Sequence, residues 1–210
     1  MLITAVTKQK NNPKRVSVYI DEKFAFGMSE VDALYYHIEE GKQLNQERYN
    51  YILNELIYAK ARDKAVKLLS FSPRSEKELI DKLKKDYSDE ICQRVVEMLK
   101  RYGYLNDADY ALSYVKDSFN LKGKGSIRIR SELRHKGIGE AEIASALETA
   151  ELNEEEKAYT LLKKRLKGNT VPDTKEKAKQ YRYLASKGFS YDCINSAFSR
   201  LGENLSDDWS

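Results

Sequence analysis

The sequence predicts a mainly α-helical protein: three tandem three-helix repeats in an elongated or curved array, preceded by a small N-terminal antiparallel β-meander and helices. Three observations support this prediction. Ala, Leu, Lys and Glu dominate long segments that only 10 Gly and 3 Pro interrupt, which favours helix. The first 27 residues instead alternate apolar and polar side chains, as strands do. After Ala61, one apolar pattern returns every 46 or 47 positions.

The first 27 residues are predicted to form three short strands. The run Leu2–Thr7 is rich in β-forming residues, and residues 16–20 alternate apolar and polar side chains. Asparagine and proline at 11–13 predict the turn between these two strands. Phe24 and Phe26 are expected to share one face of a third strand, because alternate residues of a strand point the same way.

Two helices are predicted after the meander. Ser29 and Asp32 resemble a capping box, so a helix is expected to begin there and to end at Gly41. From Asn45 to about Leu69, apolar residues recur at helical spacing and nothing obliges the helix to break. This spacing predicts one longer helix that leads into the first repeat.

Each repeat is predicted to contain three helices. The first helix carries an alanine, two spacers and two large residues, and this pattern starts at Ala65, Ala111 and Ala158. The second helix ends in a Lys-containing turn, with a glycine suited to a left-handed C-cap at Gly137 and Gly188. The third helix follows an N-cap residue at Ser88, Gly139 or Ser190.

The predicted repeats are too small to fold alone. A unit of about 45 residues buries little apolar surface, so neighbouring repeats are expected to share their faces. The predicted boundaries are residues 1–60 for the N-terminal region, 61–106, 107–152 and 153–202 for the three repeats, and 203–210 for a frayed acidic tail.

The composition narrows the class of protein. The chain has 210 residues, of which 41% are apolar and 33% charged, with a formal net charge of +4. No stretch approaches the roughly 18 apolar residues of a membrane span, and the first 30 residues lack the pattern of an export signal. We therefore expect a soluble cytoplasmic protein without a membrane partner, and the simplest oligomeric state is a monomer.

The histidines, cysteines and glycine-rich run of the sequence give little support for catalysis or metal binding. His37 and His135 are the two histidines, and neither stands in a metal-binding or nucleophile motif. Cys92 and Cys193 lie far apart beside apolar residues, which favours structural thiols over a disulfide or a zinc site. The run Lys122–Ser126 departs from the spacing of a phosphate-binding loop. We expect no catalytic residue, no metal and no cofactor.

Charge is segregated along the chain. From Lys116 to Lys136 there are seven Lys or Arg against two acidic residues, whereas Gly137–Glu156 contains seven Glu and no Lys or Arg. If equivalent helices align, the basic segments form a discontinuous stripe for an acidic or phosphate-bearing partner. The candidate contact residues are Arg74, Lys77, Lys122, Lys124, Arg128, Arg130, Arg134, Lys136, Lys163, Lys164, Lys167, Arg182 and Lys187.

Two simpler interpretations stay open for these features. Charged runs on helices commonly form solvated faces with local ion pairs, and this interpretation stays open for any single cluster here, although the repetition of basic segments favours the stripe. The 15 tyrosines, some beside basic residues as in Tyr181–Tyr183, could stack on bases, but such aromatic residues more often pack in the core or at its rim.

Four motifs together resemble the successive landmarks of the RecX regulatory proteins. In chain order they are Pro73–Leu79, Gly103–Ala111, Gly125–Ile138 and Lys187–Ser190. Each motif is short, but the four occur in the order and spacing of the family, and the resemblance covers about Lys60 to Leu201. The first 60 residues are similar to the longer N-terminal extension of some members. In the first repeat, Lys85–Tyr87 replaces the usual Lys-Gly turn, so the resemblance does not imply equivalent contacts there.

The resemblance implies a bacterial cytoplasmic protein that binds the RecA recombinase and modulates its filaments, commonly by inhibiting filament growth, strand exchange and ATP hydrolysis. It implies a role in DNA recombination, DNA repair and the SOS response, and it brings no catalytic residue. Contact with DNA phosphates is expected to be weak. The alternatives are an autonomous DNA-binding helical-repeat protein that acts through the basic stripe, and a helical scaffold for an unrelated protein.

Overall fold

The computed structural model describes residues 1–10, 12–166 and 173–207, and side chains as far as Gly202. It confirms the predicted fold class: a mainly helical chain with three-helix repeats behind an N-terminal antiparallel sheet. The chain divides into two compact units, Met1–Asn106 and Asp107–Ser210. The first unit contains the sheet and the first repeat, and the second unit contains the other two repeats.

The N-terminal sheet has three antiparallel strands in the order β1-β2-β3. Its strands are β1 (Ile3–Gln9), β2 (Asn12–Ile20) and β3 (Lys23–Ser29). Val16, Val18 and Ile20 alternate along β2 and are buried, as the sequence pattern predicts. Asn11, in the predicted turn between β1 and β2, lies outside the described residues.

The prediction that Phe24 and Phe26 share a face is wrong. Phe26 is fully buried, whereas Phe24 is 46% exposed. Val18 pairs with Phe26 but Tyr19 pairs with Phe24, so Ala25 is an extra residue of the kind found in a β-bulge. The extra residue reverses the alternation and places the two phenylalanines on opposite faces. The Phe24 ring instead packs edge-on against Tyr19, with centroids 5.9 Å apart.

The first helix is shorter than predicted. Helix α1 (Glu30–Tyr35) begins after Ser29, whose hydroxyl caps it as expected, but it ends well before Gly41. His37 adopts a left-handed conformation with φ of +50°. The Ile38 N–H then donates to a carbonyl five residues earlier at 2.8 Å, which closes a Schellman-type C-cap. Because Ile38 is buried in the core, this early turn is fixed by packing.

The longer predicted helix is present and contains a π-helical stretch. Helix α2 (Gln46–Tyr51) continues through π-helical residues Ile52–Ile57 into α3 (Tyr58–Phe71). Asn45 caps its N-terminus by accepting from the Arg48 N–H at 2.8 Å. The isoleucines at the two ends of the π-helical stretch, five residues apart, are both buried, a spacing that suits the wider π turn.

The three repeats contain the helices that the periodicity predicts. Their bounds are α4 (Glu76–Leu83) and α5 (Asp89–Arg101) after α3; α6 (Asp107–Asn120), α7 (Ser126–His135) and α8 (Glu140–Thr149); and α9 (Glu154–Arg165), α10 (Thr174–Lys187) and α11 (Tyr191–Asp207). The three recurring alanines are fully buried, and each repeat has apolar residues in a core of its unit. Helix α11 continues to Asp207 and includes backbone of the segment predicted as a frayed tail.

In the second and third repeats, the turn between the second and third helices follows the glycine pattern. Gly137 and Gly188 have φ of +84° and +91°, as left-handed C-caps require.

Within the described part of the chain, no helix is both long enough and apolar enough to span a membrane.

Candidate functional site

Helix α7 carries the densest group of predicted contact residues. Ile129 and Leu133 are fully buried and fix one side of the helix in the core of its repeat. Arg128, Arg130 and Arg134 project from the remaining surface, and they divide into two sets that contact different glutamates.

The first set surrounds Glu132. Lys124 Nζ lies 2.6 Å from its carboxylate, Arg128 Nε lies 3.0 Å away, and the Tyr114 hydroxyl donates at 2.8 Å. Burial opposes ionisation of Glu132, but these hydrogen bonds outweigh it and lower the pKa of its carboxyl to about 2. The side chains of Lys124 and Glu132 are only 15% and 25% exposed. This set is therefore an internal ion-pair network as much as a surface.

Two more predicted lysines lie against the same tyrosine. Lys122 Nζ and Lys136 Nζ are 5.6 and 5.2 Å from the centroid of the Tyr114 ring, and Tyr110 stacks beside it. Burial and the bond to the Glu132 carboxylate raise the pKa of Tyr114, so its hydroxyl stays a donor.

Lys187 and Arg128 also join the second repeat to the third. Arg128 donates to the Ser186 carbonyl at 3.0 Å, and Lys187 Nζ donates to the Lys122 carbonyl at 3.1 Å. The backbone makes the same connection, because the Gly125 N–H donates to the Lys187 carbonyl at 2.9 Å. These cations thus have contacts within the protein as well as exposed surface.

The second set consists of Arg130 and Arg134 with Glu140, the first residue of α8. Arg130 bonds one carboxylate oxygen of Glu140, and Arg134 Nε lies 2.8 Å from the other. The side chains of the three residues are 37%, 59% and 49% exposed. Unlike the Glu132 network, this group is open to a partner.

The other predicted contact residues belong to neither of these two sets. In the first unit, Arg74 Nε approaches the Leu68 carbonyl at 3.4 Å and Lys77 is exposed on α4. In the second unit the remaining residues are Lys163, which lies 5.9 Å from the Tyr159 ring, the exposed Lys164, and Arg182, which bonds the Ala178 carbonyl at 3.3 Å. Lys167 lies outside the described residues.

Several residues of the site were not predicted. Glu132 and Tyr114 organise the first set, and Glu140 holds the second. Arg165, which belongs to neither set, lies 4.0 Å from the Tyr183 ring centroid. The spacing of Arg128 and Glu132 by four residues on a helix is a signal for their pair. Glu140 has no such signal, because a turn separates it from both arginines.

The site offers N–H donors and positive charge to an anion. Guanidinium groups bind carboxylate or phosphate oxygens through several donors at once, whereas lysine acts as a point charge. Among the described residues, no group of three His, Cys, Asp or Glu side chains is placed to hold a metal ion. The chemistry that this arrangement supports is recognition of carboxylate or phosphate oxygens.

Models of RecX domains match the chain in four segments. Residues 1–45 match the regulatory protein RecX N-terminal domain, and residues 61–99, 106–147 and 153–198 match the first, second and third RecX three-helix domains.

Curated proteins and solved structures show the same likeness. Regulatory protein RecX of Clostridioides difficile (strain 630) is 34% identical over 95% of both chains, and that of Bacillus subtilis (strain 168) is 32% identical over 95% of this chain and 76% of its own. A crystal structure of regulatory protein RecX covers 98% of both chains with a TM-score of 0.60 and 30% identity. RecX from Lactobacillus salivarius gives the same TM-score and identity over 69% of this chain and 96% of its own.

Proposed function

Because this chain belongs to the RecX family of regulatory proteins, we propose that it binds filaments of the RecA recombinase and inhibits their growth, ATP hydrolysis and strand exchange. The protein acts by occupying a surface of the filament, so no catalytic step is assigned to it. With RecA as its partner, the protein is proposed to act in the cytoplasm, in DNA recombination, DNA repair and the SOS response.

The observation that carries the proposal is the exposed guanidinium pair on α7. Arg130 and Arg134 lie one helical turn apart and both point toward one carboxylate. Two guanidiniums at this spacing suit an acidic surface, because each binds carboxylate oxygens with directional hydrogen bonds. The partner that this pair is proposed to contact is therefore an acidic surface of the filament.

A second candidate function is autonomous DNA binding. Cations packed beside aromatic rings, as Lys122 and Lys136 are beside Tyr114, occur in surfaces that bind single strands. This candidate predicts comparable affinity for bare and RecA-coated DNA, with a steep dependence on salt concentration.

The proposal is tested by ATP hydrolysis of the cognate RecA on single-stranded DNA, titrated with substoichiometric amounts of this protein. We expect hydrolysis to fall as the protein is added. Unchanged hydrolysis at equimolar protein would contradict the proposal.

A charge-reversal pair tests the α7 surface in the same assay. Arg130→Glu with Arg134→Glu is expected to fold normally and to weaken inhibition at least about tenfold, because attraction becomes repulsion. The matched control, Lys10→Glu with Lys14→Glu in the N-terminal hairpin, changes the net charge equally and is expected to retain inhibition. Equal loss in both variants would remove α7 from the interface.

A further inference from the structure

Glu140 occupies the two guanidiniums that the proposed interface uses. Each of its carboxylate oxygens accepts from one arginine, Arg130 on one side and Arg134 on the other. Each guanidinium carries five N–H donors, and the bond to Glu140 uses one of them. The carboxylate therefore shows how this pair of arginines binds an anionic group.

The contacts of Glu140 contribute little to folding. The packing of α7 against α8 already rests on Ile129, Leu133 and Ile143, which are fully buried. Glu140 is 49% exposed, and exposed ion pairs add little stability because water screens them. The Glu132 network differs, because Lys124 there is 15% exposed and Arg128 also bonds the Ser186 carbonyl of the next repeat.

We infer that Glu140 is an intramolecular competitor, and that Arg130 and Arg134 exchange it for a carboxylate of RecA when the proteins bind. This inference rests on the proposed function. The ligand class is a carboxylate because the group that already bridges the two arginines is one. An anion must displace Glu140 before it can bind Arg130 and Arg134, and replacing one ion pair by another yields little net free energy. Glu140 therefore weakens the binding of any anion that fits the two arginines less well than a carboxylate does.

Removal of the competitor tests the inference. Glu140→Gln keeps the shape of the side chain and removes its charge, and we expect the half-inhibitory concentration in the RecA ATPase assay to fall about threefold to tenfold. The matched control is Glu142→Gln, two residues along α8, where the same charge is lost near the same helix N-terminus. We expect Glu142→Gln to change the half-inhibitory concentration less than about twofold.

Coupling between the residues separates competition from a general charge effect. In a protein that already carries Arg130→Gln and Arg134→Gln, the added Glu140→Gln change is expected to have no effect, because nothing is left to release. A gain that persists without the arginines, an equal gain in Glu142→Gln, or no gain in Glu140→Gln would each overturn the inference.

Two further comparisons identify the ligand and separate a failure of the proposed function from a failure of the inference about Glu140. Affinity for a bare oligo-dT strand is measured beside affinity for the RecA-coated strand, and an equal gain on both would make the ligand a phosphate and overturn the carboxylate assignment. Wild-type protein without effect on RecA overturns the proposed function and the inference with it. Wild-type inhibition with an unaltered Glu140→Gln variant overturns the inference alone.

Discussion

Arg15 in β2 reaches Asp86, in the turn between α4 and α5, with Nε 3.3 Å from the carboxylate. The Arg15 guanidinium also donates to the carbonyls of Gly27 and Asp86 at 3.1 and 3.0 Å, and it lies over the Tyr87 ring. The first repeat departs from the Lys-Gly pattern at this turn. Asp86 and Tyr87 here hold the N-terminal sheet, a contact that glycine has no side chain to make.

Loss of the Asp86 carboxylate should therefore destabilise the first unit. The side chains of Arg15 and Asp86 are 15% and 19% exposed, so Asp86→Ala leaves a largely buried guanidinium without its counter-charge. We expect the free energy of unfolding in urea to fall by about 2 kcal/mol. The control Asp81→Ala, at an exposed position of α4, is expected to change it by less than about 0.5 kcal/mol. Equal effects would show that the turn does not hold the sheet.

The Glu132 network predicts a loss of stability in acid. The pKa of the Glu132 carboxyl is about 2 in the folded protein against an ordinary value of 4.5, so the unfolded chain binds more protons between these values. The stability that ionised Glu132 contributes is therefore fully present above about pH 5 and is lost as the pH falls toward 2. After allowance for partial exposure we expect this residue to account for about 1–2 kcal/mol of the loss.

The variants Glu132→Gln and Tyr114→Phe test that assignment. Free energies of unfolding at pH 6 and pH 3 should differ less in Glu132→Gln than in wild type, and Tyr114→Phe should lie between the two because it removes one of the three donors. The same acid dependence in Glu132→Gln as in wild type would refute the assignment.

The contact between α10 and α7 requires glycine at position 188. A Cβ there would lie 2.4 Å from the Cβ and backbone nitrogen of Arg128, and the residue has φ of +91°. We expect Gly188→Ala to lower the free energy of unfolding by about 2 kcal/mol or more. Gly202→Ala, where a Cβ meets nothing within 4 Å in helix α11, is expected to be neutral or stabilising by up to about 1 kcal/mol. Denaturation in urea compares the two, and a tolerated Gly188→Ala would contradict the described packing.

The two thiols are expected to react at different rates. Cys92 is buried, and burial raises its thiol pKa to about 11, so little thiolate forms near neutral pH. Cys193 is half-buried. An aromatic disulfide reagent at pH 8 should label Cys193 in the native protein and Cys92 only in urea. The Cys193→Ser variant should then be unreactive when folded, and rapid native labelling of that variant would show that Cys92 is accessible.

The periodic parts of the fold were predictable because local signals and packing agree. Ala65, Ala111 and Ala158 recur at matching places and are all fully buried, since a small residue is needed where helices approach closely. The glycines at 137 and 188 mark helix ends for a conformational reason that is visible in the sequence.

The differences between the predicted and observed structure of the N-terminal unit depend on tertiary packing. The extra residue Ala25 in β3 reverses the faces of Phe24 and Phe26, and no residue type there marks a bulge. His37 takes a left-handed conformation that usually favours glycine, so the sequence pattern predicts the helix end at Gly41 instead.

The positive charge of the candidate site was predictable from the sequence, but the residues that its cations contact within the protein were not. The density of Lys and Arg around α7 was visible in the sequence, and the helix does carry these residues on its surface. The division into two sets was not visible, because Arg128 meets Ser186 from 58 residues away and Arg130 meets Glu140 across a turn.

The most direct test of the central account compares binding of this protein to RecA-coated single strands and to the same strands bare, at one salt concentration. The account predicts much tighter binding to the coated strands, and weaker binding when Arg130 and Arg134 are both changed to Glu. Equal affinity for coated and bare strands, with a steep decrease as salt is added, would contradict it and favour autonomous DNA binding.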